Sequence, residues 1–318
     1  MPNANTAWKS DNYKFVGKSF DFTYANRLNK MLAVVGEVDS NSIDYELTGM
    51  GGYGEMLPYN GDLNFATQKR GFKTIVTPGE FNLSLAVGYK QAKIDKTGEC
   101  RKVGTRLGQS AAMTVYAHLL RMFSGAFDAA KIGGDGVSWA STEHPVASMG
   151  DKNRQSIPDP DAGKFSNKIS TNLSVSAITS AQTAASRFIT PDGMPFLCDM
   201  NMLLVSPELE ADAVKICGKD GKWRPHQNPD ATANTYANPV PDLQYMVLGG
   251  GKDLGFTGKQ WAICDASLMR EVVKIVYITR PKVLRSQLDN PLKDCFTGYC
   301  DFGVGWGDAR QIIFSTGT

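Results

Sequence analysis

Lys102–Phe127, KVGTRLGQSAAMTVYAHLLRMFSGAF, is the stretch on which the reading of this chain turns. It contains no proline, and its last glycine, Gly125, stands almost at its end. Leu107, Ala111, Val115, Leu119, Met122, Phe123 and Ala126 recur at helical spacing and mark one apolar stripe. Met113, Tyr116, Ala117, Leu120 and Phe127 fill a neighbouring face, so the helix is expected to be covered on more than one side. Roughly 20 helical residues make a rod of about 30 Å. Such a rod, fed by extended chain and followed by a glycine-rich break, suits a protein that builds surfaces better than a catalytic core.

Upstream of the rod the chain reads as β-structure. Phe81, Leu83, Leu85, Val87 and Tyr89 alternate with Asn82, Ser84, Ala86, Gly88 and Lys90, the period of a strand with one sheltered face. Phe72, Thr74 and Val76 alternate just before, and Pro78-Gly79 supplies a bend, so a hairpin is expected to lead into the helix. Gly49–Gly61, GMGGYGEMLPYNG, is too glycine-rich for a packed core and reads as a loop. It lacks the GxxxxGK[ST] pattern of a phosphate cradle. Residues 1–42 carry Trp8, Tyr13, Phe15, Phe20, Phe22 and Tyr24 without a sustained helical period. They read equally as an extended arm with aromatic anchors or as a strand-containing cap, with one short helix over Tyr24–Val35.

Downstream, Lys131–Lys168 is mostly turn chemistry: Gly-Gly-Asp-Gly, His-Pro, Pro-Asp-Pro-Asp. Ser174 or Ser176 is placed to cap a helix running to Phe188, with Ile178, Ala181, Ala185 and Phe188 inward. Thr190-Pro191-Asp192-Gly193 ends it. Phe196–Val205 reads as a buried strand, and Ser206-Pro207-Glu208 as the start of a helix to about Cys217. Lys219–Asn238 is polar and aperiodic. Strands are expected at 243–248, 260–264 and 272–278, and two more around Cys300–Trp306 and Gln311–Ser315. The order describes a mixed α+β body.

Composition narrows the function. Over 318 residues, 34 basic and 32 acidic side chains nearly cancel, leaving a formal charge of +2. A dedicated nucleic-acid binder would need a concentrated basic stripe. No apolar run reaches the length of a membrane span, and the N-terminus lacks the apolar core of a signal peptide. The six cysteines (100, 198, 217, 264, 295, 300) match no zinc spacing and are expected to be reduced, with folding inside the cell.

Candidate chemistry is sparse. Of three histidines, His118 lies inside the long helix and reads as a packed structural residue. His144, in Ser141-Thr142-Glu143-His144-Pro145 with Ser138 nearby, could pair for acyl transfer, but no GxSxG elbow exists. Fixing the loop before the proline is its favoured role. His226 has no partner at metal-ligand spacing, and Asp159 and Asp161 lack the ligand series of a calcium loop. Gly249-Gly250-Gly251 is no dinucleotide fingerprint. No catalytic residue, cofactor or metal is assigned.

Several segments resemble the major capsid proteins of tailed bacteriophages with the HK97 fold, most closely the Mu-like major head subunits. FNLSLAVGYKQAKIDKTGE passing into LGQSAAMTVYAHLLRMFSGAF is similar to that family's E-loop strand and spine helix. GDGVSWASTEHPVASMG resembles the segment after the spine, and TPDGMPFLCDMNMLLVSPELEADAVKI a strand and helix of the axial domain. DFGVGWGDARQIIFSTG resembles the closing strands. The resemblance implies an α+β HK97-like fold: an N-terminal arm (1–42), an extended β-hairpin E-loop (43–92), and a peripheral domain on the spine helix (93–169). An axial domain (170–268) and return strands (269–318) would complete it. It implies a structural, non-enzymatic head protein whose hexamers and pentamers close an icosahedral shell around double-stranded DNA. An encapsulin-like compartment for protein cargo is the alternative. Implied partners are further copies of the chain, portal, scaffold and decoration proteins, with no membrane and no sequence-specific DNA contact. The implied location is the virion head, assembled in the bacterial cytoplasm, with any scaffolding region separate or already removed. Trp8, Phe15, Tyr53, Phe72 and Trp223 are the expected interface residues. Lys69 and Lys73 are E-loop lysines, but no motif singles out a cross-linking acceptor.

Overall fold

The computed structural model describes residues 4–28, 30–49, 56, 58–59, 61, 63, 71–88, 90, 102–146, 163–191, 193–217, 243–251, 254–286 and 293–317. In chain order its first elements are α1 (Ala4–Leu28), β1 (Gly36–Asp39), β2 (Tyr45–Thr48), β3 (Lys73–Val76), β4 (Gly79–Gly88) and α2 (Val103–Ser124). The central elements are β5 (His144–Pro145), β6 (Lys164–Phe165), β7 (Lys168–Ile169), α3 (Val175–Ala185), β8 (Met202–Val205) and α4 (Glu210–Cys217). The last are β9 (Gln244–Val247), β10 (Trp261–Cys264), α5 (Ala266–Val272), β11 (Val273–Ser286), β12 (Lys293–Trp306) and β13 (Ile312–Ser315). The chain divides into two compact units. The first is Met1–Tyr45, Val76–Leu119 and Lys274–Val304, and the second is Glu46–Ile75, Leu120–Val273 and Gly305–Thr318.

The first unit is a four-stranded sheet in the order β1-β11-β12-β4, with helices on one face. β1 runs parallel to β11, and β12 antiparallel to β4 from Lys293 opposite Gly88 to Phe302 opposite Gly79. The alternation of β4 is realised: Leu85 and Val87 pack with Phe296 and Val283 against Val16 and Phe20 of α1 and Val103 and Leu107 of α2. Fully burying each such side chain stabilises the fold by about 1.5–3 kcal/mol. Close approach of α1 to α2 depends on two glycines four residues apart. A Cβ on Gly104 would strike Ser19 Oγ and the Val16 carbonyl, and one on Gly108 would meet the Phe20 carbonyl oxygen at 2.6 Å. His118 packs as expected, its ring 4.8 Å from that of Phe81 and 5.3 Å from that of Phe302.

The second unit holds a five-stranded sheet, β7-β13-β10-β8-β9. β10 lies antiparallel to both β8 and β13, and every residue of these three strands is buried. Their near-continuous apolar character follows from burial on both faces. α3 lays Ala177, Ile178, Ala181 and Ala185 onto this sheet, joined by Phe188, while α4 contributes Ala213, Ile216 and Cys217. Ser174 caps α3, accepting a bond from the Ala177 N–H at 3.1 Å.

Four expectations are corrected. Residues 4–28 form a helix rather than an extended arm or a strand-containing cap. Among its described side chains Val16, Phe20 and Leu28 are buried while Phe15 and Phe22 are exposed, so the aromatics fall on more than one side and trace no single stripe. β3 and β4 do not form the expected hairpin. β3 pairs with β2, making a separate two-stranded ladder around the glycine-rich loop, and β4 pairs with β12. Within Phe196–Val205 only Met202–Val205 joins a ladder. The Ser206 side chain does not cap the following turn; it is buried and donates to the Gly258 carbonyl at 2.6 Å.

Candidate assembly surfaces and the buried polar cluster

The residues that looked most like chemistry turn out to be the polar interior of the second unit. His144 is fully buried and bonded at both ring nitrogens. Nδ1 lies 2.6 Å from Asp135 Oδ2, and Nε2 lies 3.1 Å from both Asn167 Oδ1 and the Trp139 carbonyl. Each ring nitrogen thus faces oxygen atoms of the second unit's own loops. The Asn167 amide is oriented by its own bonds: Oδ1 accepts from the Ser141 N–H, and Nδ2 donates to the carbonyls of Trp139 (2.7 Å) and Ala309 (3.2 Å). Phe165 covers the imidazole face at 5.0 Å.

Ser138 takes no part in this cluster, since its hydroxyl donates to the Ala140 carbonyl at 3.2 Å. The arrangement therefore lacks a nucleophile–base pair, and a fully buried imidazole has no substrate to reach. His144 does what its position before Pro145 suggested. It pins the 135–146 loop, helped by the short β5–β6 ladder that sets His144 opposite Phe165.

A second buried polar residue was not singled out in the sequence. Arg310 is 2% exposed, and its guanidinium is held on every side. Nη1 donates to both Asp308 oxygens at 3.2 and 2.9 Å, Nη2 to the Val146 carbonyl at 2.6 Å, and Nε to the Ile189 carbonyl at 2.9 Å. It also lies over the Phe165 ring at 4.8 Å. This one side chain ties three segments distant in sequence to the turn before β13. Only the alternation Asp308-x-Arg310 hinted at it.

The remaining polar network sits in the first unit. Arg280 bonds Asp39 and Glu37 across β11 and β1 and stacks on Tyr277, whose hydroxyl meets that of Tyr24 at 2.8 Å. Burial pushes the Tyr24 phenol up to about 12. These bonds fix α1 to the sheet and offer no reactive group. Cys198, Cys217, Cys264, Cys295 and Cys300 are free thiols. Burial raises Cys217 to about 12 and, with neighbouring aspartates adding to it, Cys198 and Cys300 to about 11. Cys198, Cys217 and Cys300 are therefore poor nucleophiles that serve as packing residues. Cys100, His226, Asp159, Asp161 and Lys69 lie outside the described residues.

The surface features that remain are apolar. On α1, Phe15 is 55% exposed and Phe22 73%, seven residues apart and so on one side of the helix. Around the glycine-rich loop, Met56, Tyr59 and Leu63 are all exposed, Met56 almost completely. Scattered exposed apolar residues are ordinary on protein surfaces, and others stand at Ile43, Ile132 and Leu197. Of the five expected interface residues, Phe15 is exposed, and Phe72 is half-buried with its carbonyl accepting from the Gly49 N–H at 2.6 Å. Trp8 falls within α1, its side chain outside the described residues; Tyr53 and Trp223 lie outside them altogether. Phe22 was recognisable only as one of several N-terminal aromatics. Lys73 is held at the base of the β2–β3 ladder by an ion pair with Glu46.

No protein-family model matches the sequence, and no curated protein matches it. Solved structures do. The chain is similar to the capsid of Ralstonia phage GP4 over 88% of its own length and 86% of the other chain, with 12% identity and a TM-score of 0.53. It is similar to a virus-like particle from Pyrococcus furiosus over 95% and 98%, with 9% identity and a TM-score of 0.50. These likenesses extend through both units and show the fold, which is HK97-like.

Proposed function

We propose that this chain is the major capsid subunit of a tailed bacteriophage, assembling into hexamers and pentamers that close an icosahedral shell around double-stranded DNA. The observation that carries the reading is the extent of the structural likeness to the Ralstonia phage GP4 capsid: nearly nine-tenths of both chains, both units included. The order of the four sequence motifs supports the Mu-like head subunits as the subgroup. The role is structural. The two buried polar clusters hold loops in place, and the near-neutral charge fits a container that need not grip its contents.

Assembly is supported by the exposed apolar groups. Met56 and Tyr59 on the glycine-rich loop and Leu63 just beyond it, with Phe15 and Phe22 on α1, are available to neighbouring copies. Phe72, Trp8, Tyr53 and Trp223 belong to the same proposal, as do a portal, a scaffold, decoration proteins and assembly in the host cytoplasm. Each contact is modest, and closure multiplies them. The alternative, a compartment enclosing protein, is less supported, and the contents of isolated particles would distinguish the two.

The loop is tested by deleting Gly49–Gly61. The intact chain is expected to sediment as large closed particles and the deletion to stop at free subunits or capsomers. Closure unimpaired by the deletion would remove the loop from the assembly mechanism. An intact chain that never exceeds a subunit would count against the shell reading itself.

A further inference from the structure

We propose that Glu80 and Asp301, directly opposite each other on β4 and β12, hold one hard divalent cation of the calcium class on the outer face of the four-stranded sheet. Opposed positions in an antiparallel pair bring their Cβ atoms to about 4.5–5.5 Å and send both side chains to the same side. That side is fixed by register. Phe81, Leu85, Phe296 and Phe302 belong to the row facing the helices, whereas Glu80/Asp301, Asn82/Tyr299 and Ser84/Thr297 form the alternate row. The Ser84 and Thr297 hydroxyls, bonded at 2.8 Å, come next in that row, ahead of Ala86/Cys295 and Gly88/Lys293.

Within the row, Asp301 stands out. It is only 8% exposed, yet its Oδ1 has no hydrogen-bond partner. Among the described residues no lysine or arginine pairs with it or with Glu80. A carboxylate shielded from water and facing a like charge costs stability unless a cation compensates it. The surrounding groups register the surplus negative charge. Asp301 is raised above the usual carboxylate range by burial and then by Glu80, and the Tyr299 phenol is raised by burial, Glu80 and Asp301.

The donor set determines the kind of cation. Two carboxylates, the Tyr299 hydroxyl and the Asn82 amide oxygen are all oxygen donors; the Cys295 thiol of the same row stands further along, opposite Ala86 and beyond the Ser84/Thr297 pair. Oxygen-only sites select calcium and magnesium over zinc or copper. Two strands present their donors from one side only, leaving several positions to water. Calcium, with its variable coordination, fits such an irregular set better than magnesium with its strict octahedron.

The test uses the full chain, freed of divalent ions with a chelator, then melted with calcium chloride, magnesium chloride, or sodium chloride at matched ionic strength. Calcium should raise the melting temperature of the wild type by several degrees, magnesium by less and sodium not at all. In Asp301→Asn and Glu80→Gln the calcium shift should vanish. Without cation Asp301→Asn should melt above the wild type, because the unpaired charge is gone; with calcium the order should reverse. Either variant alone suffices for the comparison if the other does not fold. A wild type indifferent to calcium, or variants that respond as strongly as it does, would overturn the proposal.

Discussion

Arg310 shows what one residue contributes to the second unit. Its three nitrogens reach Asp308, Val146 and Ile189, so removing the side chain takes the cation from a buried carboxylate and a donor from each of two carbonyls. Breaking a buried pair from one side costs about 3–5 kcal/mol. Arg310→Ala is therefore expected to lower stability by that order, read by urea unfolding, and Arg310→Met combined with Asp308→Leu by distinctly less. Equal losses would mean that packing around the site, not the uncompensated charge, sets the cost. The sequence pointed to His144 as a loop-fixing residue because His-Pro sits among turn residues. Its partners Asp135 and Asn167, nine and 23 residues away, come together only through the fold. Arg310 was harder still to find. Nothing in a lone Asp-x-Arg reports that both side chains will be buried.

Among the elements, α2 was legible almost to the residue, because a proline-free 22-residue run with an apolar stripe has few other ways to fold. α3 was equally legible from its cap and stripe. α1 was not, since its helix is stabilised by docking rather than by its own periodicity. The docking site is the Gly104/Gly108 pair, where backbone approaches backbone, and such a requirement leaves only the glycines as a trace. Gly108→Val is accordingly expected to loosen α1 while leaving the second unit intact. Hydrogen exchange should then show loss of protection confined to α1 and the facing turns of α2, with β8, β10 and β13 unchanged. Wild-type protection in α1 would contradict the account of its packing. The strand period of β4 was also readable, but not its partner. Alternation fixes which side chains share a face, whereas pairing with β12 depends on residues more than 200 positions away.

At the scale of the whole molecule, two units are built from interleaved segments. Among the described residues, His144 and Arg310 are buried and bonded, burial raises the Cys198, Cys217 and Cys300 thiols, and exposed apolar residues stand on α1 and around the glycine-rich loop. That distribution, on an HK97-like fold, is what a shell subunit needs: rigid interiors and surfaces completed by its neighbours. The most direct measurement is electron microscopy of the purified, overexpressed chain, alone and co-expressed with its scaffold. The account predicts closed shells, tubes, or rings of five and six subunits. A monomer at every concentration, persisting when scaffold is supplied, would contradict it.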